Sequence, residues 1–180
     1  MESFIYTKEQ SINSELCTQI IDYYEKTYIN SKNNKNNNIH MTFGNDKNFI
    51  KIENKLTDIL KVEINNYIQL FKLFFTDYKY NKDIYTKKYL IKKINKNTNT
   101  KYNTFLPSKN NNFITFIFYL NTININDDNK GTDIFFDNTH INPTQGKLVL
   151  FPSDWIFPHK HDSSLTEDKY ILKGEIVLQC

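Results

Sequence analysis

The sequence predicts a mainly β protein with N-terminal helices (α+β), in which a small β-sandwich or jelly roll is backed by two helices. Helical periodicity is confined to the first half of the chain, and short β-rich segments separated by turn signals fill the second half. Aromatic residues make up 15% of the 180 residues, so the chain can bury a substantial core although its average composition is polar. Its length is typical of one domain, 1–180.

Two helices are predicted, over 14–27 and 49–76, and together the first 83 residues are expected to form a helical support. Ser14 or Asn13 can cap the first helix. The polar segment 31–48 between the helices has no period and is predicted to be a loop. Apolar residues recur at helical spacing in both helices, at Leu16, Ile20, Ile21 and Tyr24 and at Ile52, Leu56, Ile59, Leu60, Tyr67, Ile68, Phe71 and Phe75.

The β core is predicted over 84–179. The segment FITFIFYLN, residues 113–121, is apolar on both faces and is therefore expected to be a central strand covered on both sides. In the last strand, Tyr170, Leu172, Ile176 and Leu178 alternate toward the helices, so Lys169 is expected to face the interior of the sandwich. The predicted strands lie at 89–94, 113–121, 133–136, 147–152 and 169–179.

Composition excludes several classes of protein. A net charge of +3 is too small to indicate nucleic-acid binding. The N-terminus lacks the pattern of a secretory signal, and no apolar run approaches the roughly 20 residues of a membrane span. Two cysteines do not form a disulfide framework, and Cys17 is predicted to be a buried thiol. We therefore expect a soluble, intracellular protein without membrane association.

Five segments occur in a characteristic order in the second half: FITFIFYLN, GTDIFF, INPTQGKLVLFPSDW, His159 and KYIL. In this order and spacing they resemble the 2-oxoglutarate/Fe(II)-dependent oxygenases, in the prolyl 4-hydroxylase-like branch common in phages and large viruses. The segment SELCTQIIDYYE is similar to the opening helix of that family. The resemblance implies a double-stranded β-helix whose mouth holds Fe(II) and 2-oxoglutarate. It also implies an oxygenase that hydroxylates the side chain of a protein or another polymer.

The resemblance assigns three residues to the site. His159 matches a metal-binding histidine, Lys169 matches the residue that pairs with the distal carboxylate of 2-oxoglutarate, and Thr115 matches a hydroxyl that helps to hold the same co-substrate. The residue chemistry agrees, because a neutral imidazole is a good Fe(II) ligand and an ammonium group pairs with a carboxylate. We therefore expect Lys169 and His159 to point into one cavity lined by Thr115.

The remaining histidines and nearby carboxylates are assigned no part in the site. His161, Asp162 and Asp154 are expected to be solvated loop residues, and His140 is expected at the surface. His40 belongs to the Asn-rich segment and receives no role.

The sequence departs from the family at the metal. The family holds iron with a His-x-Asp or His-x-Glu pair plus a second histidine, and none of the four histidines here has an acid two residues later. Counting along the chain from YLIKKI, the missing histidine falls near Asn103 and the missing acid near Phe105. A shift by one residue, to Tyr102 and Thr104 or to Thr104 and Leu106, does not restore the motif. We therefore expect no carboxylate beside His159.

Three functions remain open on the sequence alone. The first is a 2-oxoglutarate/Fe(II) oxygenase with unusual metal ligation. The second, which the residue chemistry slightly favours, is a catalytically degenerate relative that keeps the fold as a binding or interaction module and needs no iron. The third is a jelly roll that binds carbohydrate or nucleic acid, which only the fold and scattered aromatic residues support.

Overall fold

Two antiparallel sheets and two helices form the described part of the chain. Within it, neither helix is both long enough and apolar enough to cross a membrane. The structure is a computed structural model, and it describes residues 3–30, 38–42, 47–71, 85–98, 101, 112–124, 131–135, 138–154, 156–164 and 166–177.

Both predicted helices are present. Helix α1 spans Ser14–Asn30, and the Asn13 side-chain oxygen caps it by accepting a 2.9 Å hydrogen bond from the Leu16 N–H. Helix α2 spans Ile50–Leu70. The prediction that it reaches residue 76 is wrong, because Phe71 already leaves the helical backbone conformation and its N–H bonds to the carbonyl of Ile68. Residues 72–76 lie outside the described residues.

The strands form a six-stranded sheet in the order β1-β7-β4-β9-β3-β2 and a three-stranded sheet in the order β6-β5-β8. Every registered pair is antiparallel. The described strands are β1 (Tyr6–Lys8), β2 (Asn38–Thr42), β3 (Tyr85–Ile94), β4 (Asn112–Tyr119), β5 (Thr132–Ile134), β6 (Thr139–Ile141), β7 (Leu148–Pro152), β8 (His159–His161) and β9 (Lys169–Val177).

The first 83 residues contribute strands as well as helices. Strand β1 pairs with β7 at one edge of the large sheet, and β2 pairs with β3 at the other. The predicted loop over 31–48 is therefore wrong at residues 38–42. An edge strand gains main-chain hydrogen bonds to one neighbour without needing a strongly apolar face, so its composition gives little signal.

One face of the large sheet packs against the helices. Leu172 and Ile176 of β9 are buried there, and Tyr170 is half-buried beside them, which confirms the predicted outward alternation of these residues. Leu178 lies outside the described residues. Cys17 of α1 is fully buried, as predicted. The same cluster contains α-helical Leu16, Ile20, Tyr24, Leu56, Leu60 and Ile64 and sheet residues Tyr89, Ile91, Phe116, Phe118, Leu148 and Leu150.

The other face packs against the small sheet and forms a second core. Strand β4 lies between β7 and β9 and is buried on both faces over its apolar length, as predicted for a central strand. The second core contains Ile94, Ile117, Tyr119, Val149, Phe151 and Ile171 from the large sheet and Ile134, Ile141 and Phe157 from the small sheet and its flank. The layers are thus helices, large sheet and small sheet, and the candidate site lies between the two sheets.

Candidate functional site

Lys169, the first residue of β9, lies buried between the two sheets. Its Nζ donates a 2.8 Å hydrogen bond to the carbonyl of Gly131 and another to the carbonyl of Asp162. The pKa of Lys169 is lowered to about 7, mainly by burial. The charge of Lys92 acts in the same direction, and the carboxylates of Asp162 and Asp133 oppose it. The predicted inward direction of Lys169 is therefore confirmed. Its role toward a co-substrate stays a prediction.

His159 begins β8 and is also fully buried. Its ring centroid lies 5.1 Å from that of Phe151 and 5.4 Å from that of His161. Burial lowers the pKa of His159 to about 3, and the positive charges of Lys173 and Lys92 act in the same direction. The imidazole is therefore neutral at physiological pH.

The prediction for His161 is wrong. It was expected to be a solvated loop residue, but its side chain is 1% exposed. Strand β8 continues through His161, and the two-residue period of a strand returns it to the same inner face as His159. The spacing of the two histidines could have given this result if the segment had been recognised as a strand.

A buried hydrogen-bonded chain holds His161 in place. The Tyr119 hydroxyl donates to the Thr132 hydroxyl at 2.5 Å, and Thr132 lies 2.8 Å from Nδ1 of His161. While it accepts from Tyr119, the Thr132 hydroxyl can give its own proton to Nδ1, and in that arrangement the proton of the imidazole lies on Nε2. The Nε2 atom is buried and has no hydrogen-bond partner among the described residues. Neither Tyr119 nor Thr132 was predicted from the sequence to belong to the site.

Asp154 and Asp162 were expected to be solvated loop residues, and the structure agrees only in part. Asp154 and Asp162 do lie in connecting segments, but both are half-buried. Asp162 forms a 3.2 Å ion pair with Lys160. His140 is exposed, as predicted, with Nδ1 2.6 Å from an oxygen of Asp133. The backbone of His40 lies in β2, and it still receives no role.

The strand register does not bring Thr115 to Lys169. Thr115 lies opposite Glu175, six residues along β9 from Lys169, which corresponds to about 20 Å. Its hydroxyl shares a 2.7 Å hydrogen bond with that of Ser153. The expectation that Thr115 lines one cavity with Lys169 therefore fails on geometry. Tyr119, opposite Ile171, is the β4 hydroxyl closest to the Lys169 end.

Two further lysines join Lys169 on the inner face. Lys92 of β3 lies directly opposite Ile171, and Lys169 and Lys173 flank Ile171 at two residues on either side. Residues opposite each other in antiparallel strands share a face, and Ile171 belongs to the core between the sheets. Burial lowers the pKa of Lys173 to about 8 and also lowers that of Lys92. We call Lys92, Lys169 and Lys173 the interior lysine cluster.

The described residues of this region do not fit Fe(II). They contain no group of three His, Cys, Asp or Glu side chains arranged to hold a metal ion. The interior lysine cluster adds positive charge at low dielectric, which disfavours a divalent cation. Asn103 and its neighbours Tyr102 and Thr104, predicted opposite His159, lie outside the described residues. The described residues of the site are suited to an anion.

Comparison with known proteins gives a fold and no close relative. No family model and no curated protein sequence matches the chain. Among solved structures, the viral collagen prolyl hydroxylase from Paramecium Bursaria Chlorella virus-1 matches with a TM-score of 0.68 and 13% identity, over 97% of this chain and 90% of that one. A second structure of that viral enzyme is a 2-oxoglutarate complex.

Two further solved structures have a similar fold. A Pseudomonas putida prolyl-4-hydroxylase matches with a TM-score of 0.70 and 13% identity, over 98% of this chain and 93% of that one. A Trichoplax adhaerens prolyl hydroxylase, in complex with a hypoxia inducible factor peptide fragment, matches with a TM-score of 0.69 and 16% identity, over 96% and 83%. The chain therefore has the fold of the prolyl 4-hydroxylase-like 2-oxoglutarate oxygenases.

Proposed function

We propose that this chain is a 2-oxoglutarate-binding protein on a double-stranded β-helix that acts as a binding module without iron-dependent hydroxylation. The observation that carries the proposal is the ammonium group of Lys169, held between the sheets by the carbonyls of Gly131 and Asp162. An ammonium so placed can pair with the distal carboxylate of a dicarboxylic acid. The 2-oxoglutarate complex of the viral prolyl hydroxylase supports this choice of ligand, because that protein shares the fold.

The absence of a His-x-Asp or His-x-Glu pair from the whole sequence argues against iron chemistry. Iron in this fold would supply the site for oxygen activation, and three ligands of high affinity are needed to hold it against water. His159 and His161 provide imidazoles, but the interior lysine cluster opposes a dication beside them. A binding role needs only the anion site.

One specific observation favours the second candidate, an active oxygenase acting on the side chain of a protein or other polymer. His159 is buried between the sheets and neutral, as a metal-ligating histidine must be. In that case the other ligands would come from outside the family motif. The two functions differ in whether Fe(II) is needed for any measured property.

The first experiment measures 2-oxoglutarate binding by titration calorimetry in the presence of a chelator. We expect saturable binding to the wild type and a loss of at least about tenfold in affinity in Lys169→Met, because a charge-assisted hydrogen bond contributes roughly 1.5–3 kcal/mol. Lys8→Met is the matched control, since Lys8 is exposed on edge strand β1, and it should bind like the wild type. Absence of binding to the wild type would refute the proposal.

The second experiment separates the two candidates. Fe(II) is titrated anaerobically with 2-oxoglutarate while the weak visible charge-transfer band of the metal chelate is monitored. The binding module predicts no band and no conversion of 2-oxoglutarate to succinate in air. A band, together with turnover that His159→Ala abolishes, would establish the oxygenase instead.

A further inference from the structure

The interior lysine cluster offers more positive charge than a single distal carboxylate requires. Lys169 and Lys173 are separated along β9 by about 13 Å between α-carbons, and Lys92 lies across from the midpoint, at Ile171. The three lysines thus lie on one stretch of the inner face. The only side-chain carboxylate placed on this face of β9 by the strand alternation is that of Glu175.

The charges of these groups also act on one another. The charge of Lys92 lowers the pKa values of Lys169 and Lys173. The charges of Lys92 and Lys173 lower the pKa values of both histidines of β8. Glu175 acts on Lys173 in the opposite direction and accepts a hydrogen bond from the Asn112 amide. At Lys169 the carboxylates of Asp162 and Asp133 also favour the charged form. An anion between the sheets would likewise favour the charged forms of Lys92 and Lys173, which burial disfavours.

His161 supplies an independent sign of a ligand. Its Nε2 atom is buried and has no hydrogen-bond partner among the described residues. When the Thr132 hydroxyl, which accepts from Tyr119, donates to Nδ1, the ring proton lies on Nε2, which is then a donor. A buried donor of this kind normally has an acceptor. An anionic oxygen between the sheets would serve both His161 and the lysines.

We propose that Lys173 and Lys92 bind the second anionic group of the ligand, the 2-oxo carboxylate of 2-oxoglutarate, and so take the place of a metal ion. This inference rests on the proposed function, in which Lys169 binds the distal carboxylate. A five-carbon dicarboxylate is short enough to lie between Lys169 and Lys173 when both side chains extend toward it. The site then selects small molecules with a carboxylate at each end and does so without Fe(II).

The test compares two ligands that differ only at the second carboxylate. In 4-oxopentanoate a methyl group replaces the 2-oxo carboxylate of 2-oxoglutarate, while the ketone and the distal carboxylate remain. With chelator present, the wild type should bind 2-oxoglutarate at least about tenfold more tightly than 4-oxopentanoate. In Lys173→Met the two ligands should bind with nearly equal affinity, and Lys92→Met should reduce the difference between them.

Thermal unfolding of each ligand-free variant shows whether the fold is intact. Lys173→Met removes a charge from a poorly solvated site, so its unfolding midpoint should equal or exceed that of the wild type. Lys8→Met, exposed on β1, should keep the full difference between the ligands.

The outcomes separate this inference from the proposed function. If the wild type binds 2-oxoglutarate, and Lys169→Met weakens it, but Lys173→Met and Lys92→Met leave the preference over 4-oxopentanoate intact, the proposed function stands and the role of the second pair of lysines is refuted. If 2-oxoglutarate binds only after Fe(II) is added, the metal-free site is refuted. If the wild type binds neither ligand under any condition, both proposals fall.

Discussion

Gly131 lies at one of the two points where backbone beside the small sheet contacts Lys169. Its carbonyl accepts hydrogen bonds from Nζ of Lys169 at 2.8 Å and from the N–H of Asp162 at 3.0 Å. A Cβ at this position would lie 2.0 Å from the carbonyl oxygen of Ile141, which belongs to the paired strand β6. Only glycine fits without moving the sheet that contacts Lys169.

We therefore predict that Gly131→Ala destabilises the protein by about 2 kcal/mol or more, because backbone must shift against backbone. Urea unfolding followed by circular dichroism measures the change. Asn124→Ala, at an exposed position, should change the free energy of unfolding by less than about 0.5 kcal/mol. Equal effects of the two substitutions would show that the small sheet tolerates a side chain at 131.

For single residues, the sequence predicts the face of the sheet to which a side chain points better than it predicts which other residues lie beside it. The alternation along β9 correctly placed Lys169 toward the interior, because the strand period depends on local sequence alone. Thr115 was wrongly placed beside Lys169, because the distance between them depends on the register of β4 against β9. His161 was missed because β8 has only three residues, too few for a periodic pattern.

Among the elements, α1, β3 and β9 are joined by a charged network. Lys93 forms ion pairs with Glu25 at 3.1 Å and with Asp168 at 3.2 Å, and the Tyr170 hydroxyl donates to Glu25 at 2.5 Å. Burial alone would raise the pKa of Glu25, but the hydrogen bonds from Tyr170 and Lys93 outweigh it and lower the pKa below 4.5. The pKa of Asp168 is likewise lowered below 3.8, because the hydrogen bonds from the Lys96 N–H and from Lys93 outweigh the effect of burial.

The network should make stability depend on acid pH. Carboxylates with lowered pKa values in the folded state stabilise it above their unfolded pKa, and this contribution is lost as pH falls through the folded pKa. Because the side chains are partly exposed, we expect Lys93→Met to lower the free energy of unfolding by only about 1 kcal/mol at neutral pH. The effect should be smaller at about pH 2.5, because the two carboxylates lose their charge as pH falls through their folded-state pKa values. A loss of the same size at both pH values, measured by urea unfolding, would contradict the network.

The elements that the sequence predicted are those with a strong local signal. Helix α1 and strands β4, β7 and β9 are long or strongly apolar, and their predicted positions agree with the structure. Strands β1 and β2 were missed because their formation depends on main-chain pairing with β7 and β3, far away in the sequence. The end of α2 at Leu70 was missed because the apolar periodicity of the sequence continues to residue 75.

For the molecule as a whole, the interior lysine cluster predicts an unusual response to alkaline pH. The folded-state pKa values of Lys169 and Lys173 are about 7 and about 8, against 10.5 without burial. Between these values and 10.5, the unfolded chain binds more protons than the folded one, so stability rises with pH. The opposite contribution begins near pH 9, where Cys17, whose pKa burial raises from 9.0 to about 11, stays protonated only in the folded state.

We therefore predict that the ligand-free protein gains more than about 1 kcal/mol in free energy of unfolding between about pH 7 and about pH 9, since one unit of pKa shift corresponds to about 1.4 kcal/mol. Urea unfolding at the two pH values, without dicarboxylate, measures this gain. Lys173→Met should reduce the gain, because one of the two shifted groups is gone, whereas Lys8→Met should leave it unchanged. Saturating 2-oxoglutarate should also reduce it, because the bound anion holds the lysines in their charged form at both pH values. Stability that is flat or falls over this range would mean that the lysines are better solvated than their positions between the sheets indicate.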